Sequence, residues 1–266
     1  MSNGELYTIL TNKAKKGKKG SIVGIFNGTQ AGSIVKIIKE KFSDEQRRMV
    51  KEVTLDMANS MNLIVEKCFP KATRVVDRFH VQKLSCDSVQ QVRIDHRWEA
   101  IDMDNQEYKR AKKEGKEYVP FTFENGDTAK QLLVRSRFLL FKPSHKWTES
   151  QKKRANILFN AYPDIEQAYH LSHQLYLIYS RNISKSVART HLAQWFNQIE
   201  LADIDSFQVV KRTVERHYEN ILNFFDSRST NAAAESFNAK IKEFRRQFRG
   251  VTDVKFFLFR LTKIFA

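Results

Sequence analysis

Residues 51–80 read KEVTLDMANSMNLIVEKCFPKATRVVDRFH, and this stretch decides the fold. Lys51 to Asp56 alternates apolar and polar residues as a strand does. Met57 to Phe69 places Met61, Leu63, Ile64, Cys68 and Phe69 at helical spacing and stops at Pro70, and Lys71 to Asp77 alternates again. Two strands separated by one helix form a crossover that makes the strands parallel neighbours with right-handed connectivity. Asp56 and Asp77 then stand at the carboxyl ends of their strands, the edge where loops open a crevice and ligands gather in open α/β sheets. Two roles are open to each: one of a pair of carboxylates in an acidic site, or the cap of the helix that follows its strand.

Working outward, Glu5 to Asn12 (ELYTILTN) and Ser21 to Asn27 (SIVGIFN) are β-rich. The run NKAKKGKKG between them reads as a basic hairpin loop. Past Gly28, Ile34, Ile37, Ile38 and Phe42 mark a helix, followed by a short polar turn or helix around Ser43 to Met49. From Arg78 onward helical periods dominate, broken by Gly115, Pro120, Gly126, Pro143 and Pro163. No fixed-period repeat and no low-complexity tract interrupts this order.

The chain has 266 residues, enough for one large domain or one domain with a big insertion. Lys and Arg number 46 against 30 Asp and Glu, a formal charge of +16, while 41% of residues are hydrophobic and 12% aromatic. That much apolar and aromatic material excludes simple disorder, and the charge points to a polyanion partner, most simply nucleic acid. No apolar run approaches the roughly 20 residues that span a bilayer, and the start MSNGELYTIL lacks the basic and apolar regions of a signal peptide. A soluble cytoplasmic protein without membrane contact is expected. Cys68 and Cys86 form neither a C-x-x-C pair nor a disulfide framework, so reduced, partly buried thiols are expected.

Near the other end, residues 227–231 supply helix-starting side chains for AAAESFNAKIKEFRRQFRG. Phe237, Ile241, Phe244 and Phe248 make an apolar stripe that should pack on the body. Beside it Glu235, Asn238, Lys242, Arg245 and Arg249 form a second stripe, with one acid at its beginning and cations farther along. Such a face could hold a metal at one end and track phosphates with the rest, or be the solvated side of an amphipathic helix. From Arg228 onward nine Lys or Arg face three acids. Lys13, Lys15, Lys16, Lys18 and Lys19 are further phosphate-contact candidates, or a solvated loop tip. Trp98, Trp147 and Trp195 lie in helical patterns and are expected in the core. His170 and His173 have metal-pair spacing without a third ligand and are expected to be packing or surface residues.

The segments VTLDMANSM (53–61), FPKATRVVDRFHVQKL (69–84) and STNAAAESFNAKIKEFRRQFRGV (229–251) resemble bacterial insertion-sequence transposases with a DDE catalytic domain, of the ISL-type branch carrying a D-x-F-H signature. The resemblance runs over essentially the whole chain. It implies an α/β fold, a truncated RNase H-like sheet with its first strand missing, and a large all-helical insertion before the carboxyl-terminal Glu-bearing helix. The corresponding boundaries are 1–82 for the first part of the core, 83–226 for the insertion and 227–266 for the last helices. Asp56 matches the family's second catalytic Asp and Glu235 its final Glu, both as metal ligands. Asp77 and His80 match the D-x-F-H element, Asp77 as a supporting residue and His80 as a catalytic one that orients a scissile phosphate or leaving hydroxyl; a structural helix-start histidine is the other reading. Lys242, Arg245, Arg246 and Arg249 would contact DNA.

The implied activity is DNA cleavage and strand transfer in transposition of a mobile element, a DNA recombination reaction. Its partners are transposon ends, target DNA and further copies of the protein in a transposition complex, with the bacterial nucleoid as its place of work. An oxygen nucleophile attacks phosphorus in line, and two Mg²⁺ or Mn²⁺ ions roughly 3.5–4 Å apart activate the nucleophile and stabilise the leaving group. Hard cations of this kind take carboxylate oxygens. The family's first catalytic Asp lies ahead of the segment matching SNGELYTILTN, as do its zinc-binding and helix-turn-helix portions. This chain starts just after that point, and Glu5 is a poor substitute, so inactivity of the chain by itself is expected. The alternative function is a non-catalytic DNA-binding or oligomerising transposase remnant that modulates the full-length enzyme. A nuclease-like domain acting on RNA is a third.

Overall fold

In the computed structural model, which describes residues 7–15, 18–247 and 253–266, β1 (Tyr7–Thr11) and β2 (Ile22–Asn27) pair antiparallel, Thr8 opposite Phe26 and Leu10 opposite Gly24. Their basic connection contains a 3-10 turn at Lys13–Lys15, and Asn12 N–H closes the hairpin on the Ser21 carbonyl at 2.8 Å. Gly20 ends the loop at φ 83°, a left-handed conformation that a residue with Cβ adopts only under strain. Two helices follow, α1 (Ala31–Lys41) and α2 (Asp44–Arg48), the second started by a reciprocal cap between Ser43 and Gln46. Ile34 and Ile38, one turn apart on α1, are fully buried, whereas Ile37 faces outward.

The decisive stretch folds as β3 (Glu52–Leu55), α3 (Asn59–Cys68) and β4 (Thr73–Val76). The strands are parallel neighbours, Glu52 opposite Thr73 and Leu55 opposite Val76, as the crossover requires. The described strands make two separate two-stranded sheets, one antiparallel and one parallel, so the chain is mixed α/β with helix predominating. Phe26, Ile34, Ile38, Leu55, Ile64, Val65, Cys68 and Phe69 bury one another and join hairpin, helices and crossover into one core. Cys68 within it and the half-buried Cys86 are both free thiols.

The chain divides into two compact units, one built from residues 1–77 with 219–266 and the other from residues 78–218. The second is helical. Its spine is α4 (Arg78–Lys113), joined by α5 (Ala129–Arg135), α6 (Glu149–Ala161), α7 (Pro163–Ser180), α8 (Lys185–Ala202) and α9 (Asp205–Arg216). Local signals set these starts: Thr128 with Gln131 and Thr148 with Gln151 form capping boxes, and Pro163 occupies the first turn of α7. Leu132, Leu158, Ile165, Leu175, Trp195 and Phe207 fill the core, and the buried Trp195 indole donates to the Leu171 carbonyl at 2.9 Å.

Trp98 departs from expectation, because it is 56% exposed. Every buried residue of α4 lies between Val81 and Arg93, so the second half of this 36-residue helix is only partly covered and leaves the indole in solvent. Trp147 is half-buried and donates to the Leu139 carbonyl at 2.8 Å. His170 lies 3.6 Å from the Glu166 carboxylate and His173 stacks between Tyr169 and Tyr176, the packing and surface roles expected of the pair. After α10 (Tyr218–Leu222) and α11 (Phe224–Ser227) come α12 (Ala232–Gln247) and α13 (Val254–Phe265).

Candidate functional site

Parallel pairing fixes the first element of the site. Asp77 N–H donates to the Leu55 carbonyl at 3.0 Å, which extends the ladder one residue and sets Asp56 and Asp77 at the ends of adjacent strands. The two residues then differ. Asp77 is buried, 2% exposed, while Asp56 is half-buried and its Oδ1 accepts the Ala58 N–H at 2.9 Å in front of α3. This is a turn bond ahead of the helix: the N-cap of α3 is Ala58, which has no side-chain cap, so Asp56 does not cap the helix that follows its strand.

Glu235 comes from the first turn of α12, and two features hold that helix in place. Phe237, 1% exposed, buries against Ile22 of the hairpin and Leu261 of α13, with Ile9, Ile25, Ile241 and Phe244 around them. Its ring meets Phe265 edge-on at 4.9 Å. Burying a phenylalanine to this degree contributes about 2–3 kcal/mol, and the expected apolar stripe docks on the body; Phe248 lies outside the described residues. The segment leading into α12 is tied to both parallel strands. Asn223 Nδ2 donates to the Arg74 carbonyl on β4 at 2.8 Å. Glu52 on β3 accepts hydrogen bonds from Ser229 and Ser227 and pairs with Lys13 at 3.5 Å. Burial pushes the Glu52 carboxyl up, but the two hydroxyls and the Lys13 ammonium outweigh it and leave it below its ordinary value.

As a result, the carboxylates of Asp77 and Glu235, remote in sequence, offer oxygens within 4.8 Å of each other. His80 follows Asp77 by three residues in the first turn of α4, so chain connectivity keeps its ring beside that carboxylate, a nitrogen within the same 4.8 Å of it. Its ring also meets Phe79 edge-on at 5.8 Å. Asp56 stands on the neighbouring strand end and does not belong to this close group among the described residues. Asp77, expected in a supporting role, is thus the acid that the fold brings to Glu235.

The polar side of α12 carries Lys242 and Arg246 exposed and Arg245 half-buried, with Arg246 paired to Glu243 at 2.7 Å. Arg249 lies outside the described residues, as do Glu5 and Lys16. The ties from Glu52 to Ser227 and Ser229 carry no pattern in the sequence that would have announced them.

Oxygen donors beside an imidazole suit a hard or borderline divalent ion. A family model of DDE transposases of the ISL3 type, described as Transposase, matches residues 1–261, so the chain belongs to this transposase family. No curated protein and no solved structure matches the chain. No helix among the described residues is long and apolar enough to cross a membrane.

Proposed function

We propose that the rim formed by Asp56 and Asp77, faced by Glu235, is the divalent-metal site at which this transposase cuts and joins DNA at transposon ends and target. The observation that carries this reading is the approach of the Asp77 and Glu235 carboxylates to within 4.8 Å from positions far apart in the sequence. In this reading β1–β2 and β3–β4 are parts of an RNase H-like core, and residues 78–218 are the all-helical insertion that precedes the Glu-bearing helix. Further copies of the protein join it in the transposition complex.

Asp77 and Glu235 would hold Mg²⁺ or Mn²⁺, with Asp56 as an outer carboxylate that reaches it directly or through water. Bound there, such an ion lowers the pKa of a coordinated water and offsets charge on a leaving oxygen. The chain's own residues do the rest. Burial of Asp77 fixes its carboxylate against reorientation, and docking of Phe237 fixes the position of Glu235. His80 donates a hydrogen bond to a phosphate oxygen beside Asp77. Lys242 and Arg245 neutralise phosphates along α12, an electrostatic and sequence-independent contribution to binding.

Thermal melting of the full chain with and without Mg²⁺ or Mn²⁺ tests the site. At a hundredfold excess over Kd a bound ion stabilises by about 2.7 kcal/mol, a shift of a few degrees in Tm. Asp77→Asn and Glu235→Gln are expected to remove that shift and Asp56→Asn to reduce it. An undiminished shift in Glu235→Gln ends the proposal.

A further inference from the structure

The helical unit carries a group of arginines with no carboxylate paired to them among the described residues. Arg93, in the first half of α4, is 5% exposed, and the hydrogen bonds it makes go to neutral groups: Nε to Gln90 Oε1 at 2.8 Å and Nη1 to the Leu133 carbonyl at 3.0 Å. One turn on, Arg97 has a buried Nε with no hydrogen-bond partner among the described residues, and its guanidinium lies 5.8 Å from the ring centre of exposed Trp98. Just past α5, the Arg137 carbonyl accepts from Gln90 Nε2 at 3.3 Å, so Gln90 joins this loop to the same face of α4. The Arg137 guanidinium in turn lies 5.4 Å from the ring centre of exposed Phe138. Burial, followed by the charges of Arg137 and Arg97, holds Arg93 below its ordinary pKa. An arginine side chain stays cationic regardless, so Arg97 and Arg137 both repel the Arg93 charge.

The surroundings extend the same sign. Residues 129–154 hold eight Lys or Arg and one acid, Glu149. Asp127 neutralises Arg135 and Arg154, and Glu149 pairs with Lys152. Lys130, Lys142, Lys146 and Lys153 are exposed and have no ion pair among the described residues.

We infer that Arg97 and Arg137, with Trp98 and Phe138 and the buried charge of Arg93 behind them, form a second DNA surface, on the helical unit, that takes a single strand: phosphates on the Arg97 and Arg137 guanidinium groups, unpaired bases on the two rings. The inference rests on the reading that the protein acts on DNA. Fixed cations alone would suit any polyanion. Exposed rings beside them select a chain whose bases are free to stack, because every base has a π-face, whereas a duplex hides its bases.

The test is fluorescence anisotropy of the full chain with labelled oligothymidylate and with duplex DNA of equal length, over a range of salt. Arg97→Gln with Arg137→Gln is expected to weaken both about tenfold and to flatten the log–log salt dependence for the single strand by about 1.4, two phosphates' worth. Trp98→Ala with Phe138→Ala is expected to weaken oligothymidylate about tenfold and duplex less than about twofold. Circular dichroism and the Mg²⁺ melting shift are expected to stay at wild-type values in both variants. Unchanged single-strand binding in either variant overturns the inference, as does a wild-type chain that binds neither DNA. The Mg²⁺ shift, read separately, keeps that failure distinct from failure of the acidic site.

Discussion

The two units differ in how much of each is set locally. In the helical unit caps such as Thr128 and Thr148 set helix starts from a few neighbouring residues, even though α4 also packs on the later α7 and α9. The other unit joins segments that the sequence keeps far apart: Phe26 packs with Leu55, and Ile22 with Phe237 and Leu261. The acidic pair belongs to the second kind, since Asp77 and Glu235 meet only when the remote helix has docked. Proximity of chemical groups is here a product of long-range packing, and what loosens that packing should remove the chemistry first.

The strongest way to break this contrast is Phe237→Ala. Truncating a fully buried phenylalanine costs about 3–5 kcal/mol, and the expected outcome in urea is loss of the discontinuous unit together with its Mg²⁺ response, while the helical transition keeps its midpoint. A common shift of both transitions would show that the units are not energetically separate. Glu52→Gln acts more weakly. It takes the charge from the acceptor of the Ser227 and Ser229 hydrogen bonds, worth about 1.5 kcal/mol at pH 7. Because the folded pKa of Glu52 is depressed, its contribution is present above the unfolded value and fades as pH falls through the folded one. Wild type and variant should therefore converge in acid, as urea midpoints at neutral and low pH would show.

The smallest effect sharpens the contrast from the helical side. His96 lies 2.6 Å from Asp164 on α7 and 3.0 Å from Glu99. Burial lowers its pKa, but the bonds to Asp164 and Glu99 outweigh that and raise it. The imidazolium thus stabilises fully below the unfolded pKa, and the contribution is lost as pH rises through the folded value. For a partly exposed cluster this amounts to less than about 1 kcal/mol. Melting curves of wild type and His96→Gln are expected to differ below neutrality and merge in alkali.

The parallel crossover was readable from residues 51–80 alone, because alternation, helical spacing and Pro70 are local properties, and the structure has β3, α3 and β4 in that order. The docking face of α12 was readable for the same reason. Which aspartate approaches Glu235 was not: Asp56 and Asp77 look alike as strand-end acids, and only the turn bond at Ala58 and the burial of Asp77 separate them. The exposure of Trp98 was equally hidden, since a helical period cannot tell where along a 36-residue helix the covering partners stop. The importance of Glu235 came from the family resemblance, and the Glu52 ties had no signal of any kind.

Because the helical unit is spliced between residue 77 and residue 219, the ribosome finishes it before releasing α12. Domains generally fold as units while synthesis proceeds. The nascent polypeptide can therefore complete its middle portion while the acidic pair is still unmade, and the two carboxylates meet only after the helical unit has been synthesised.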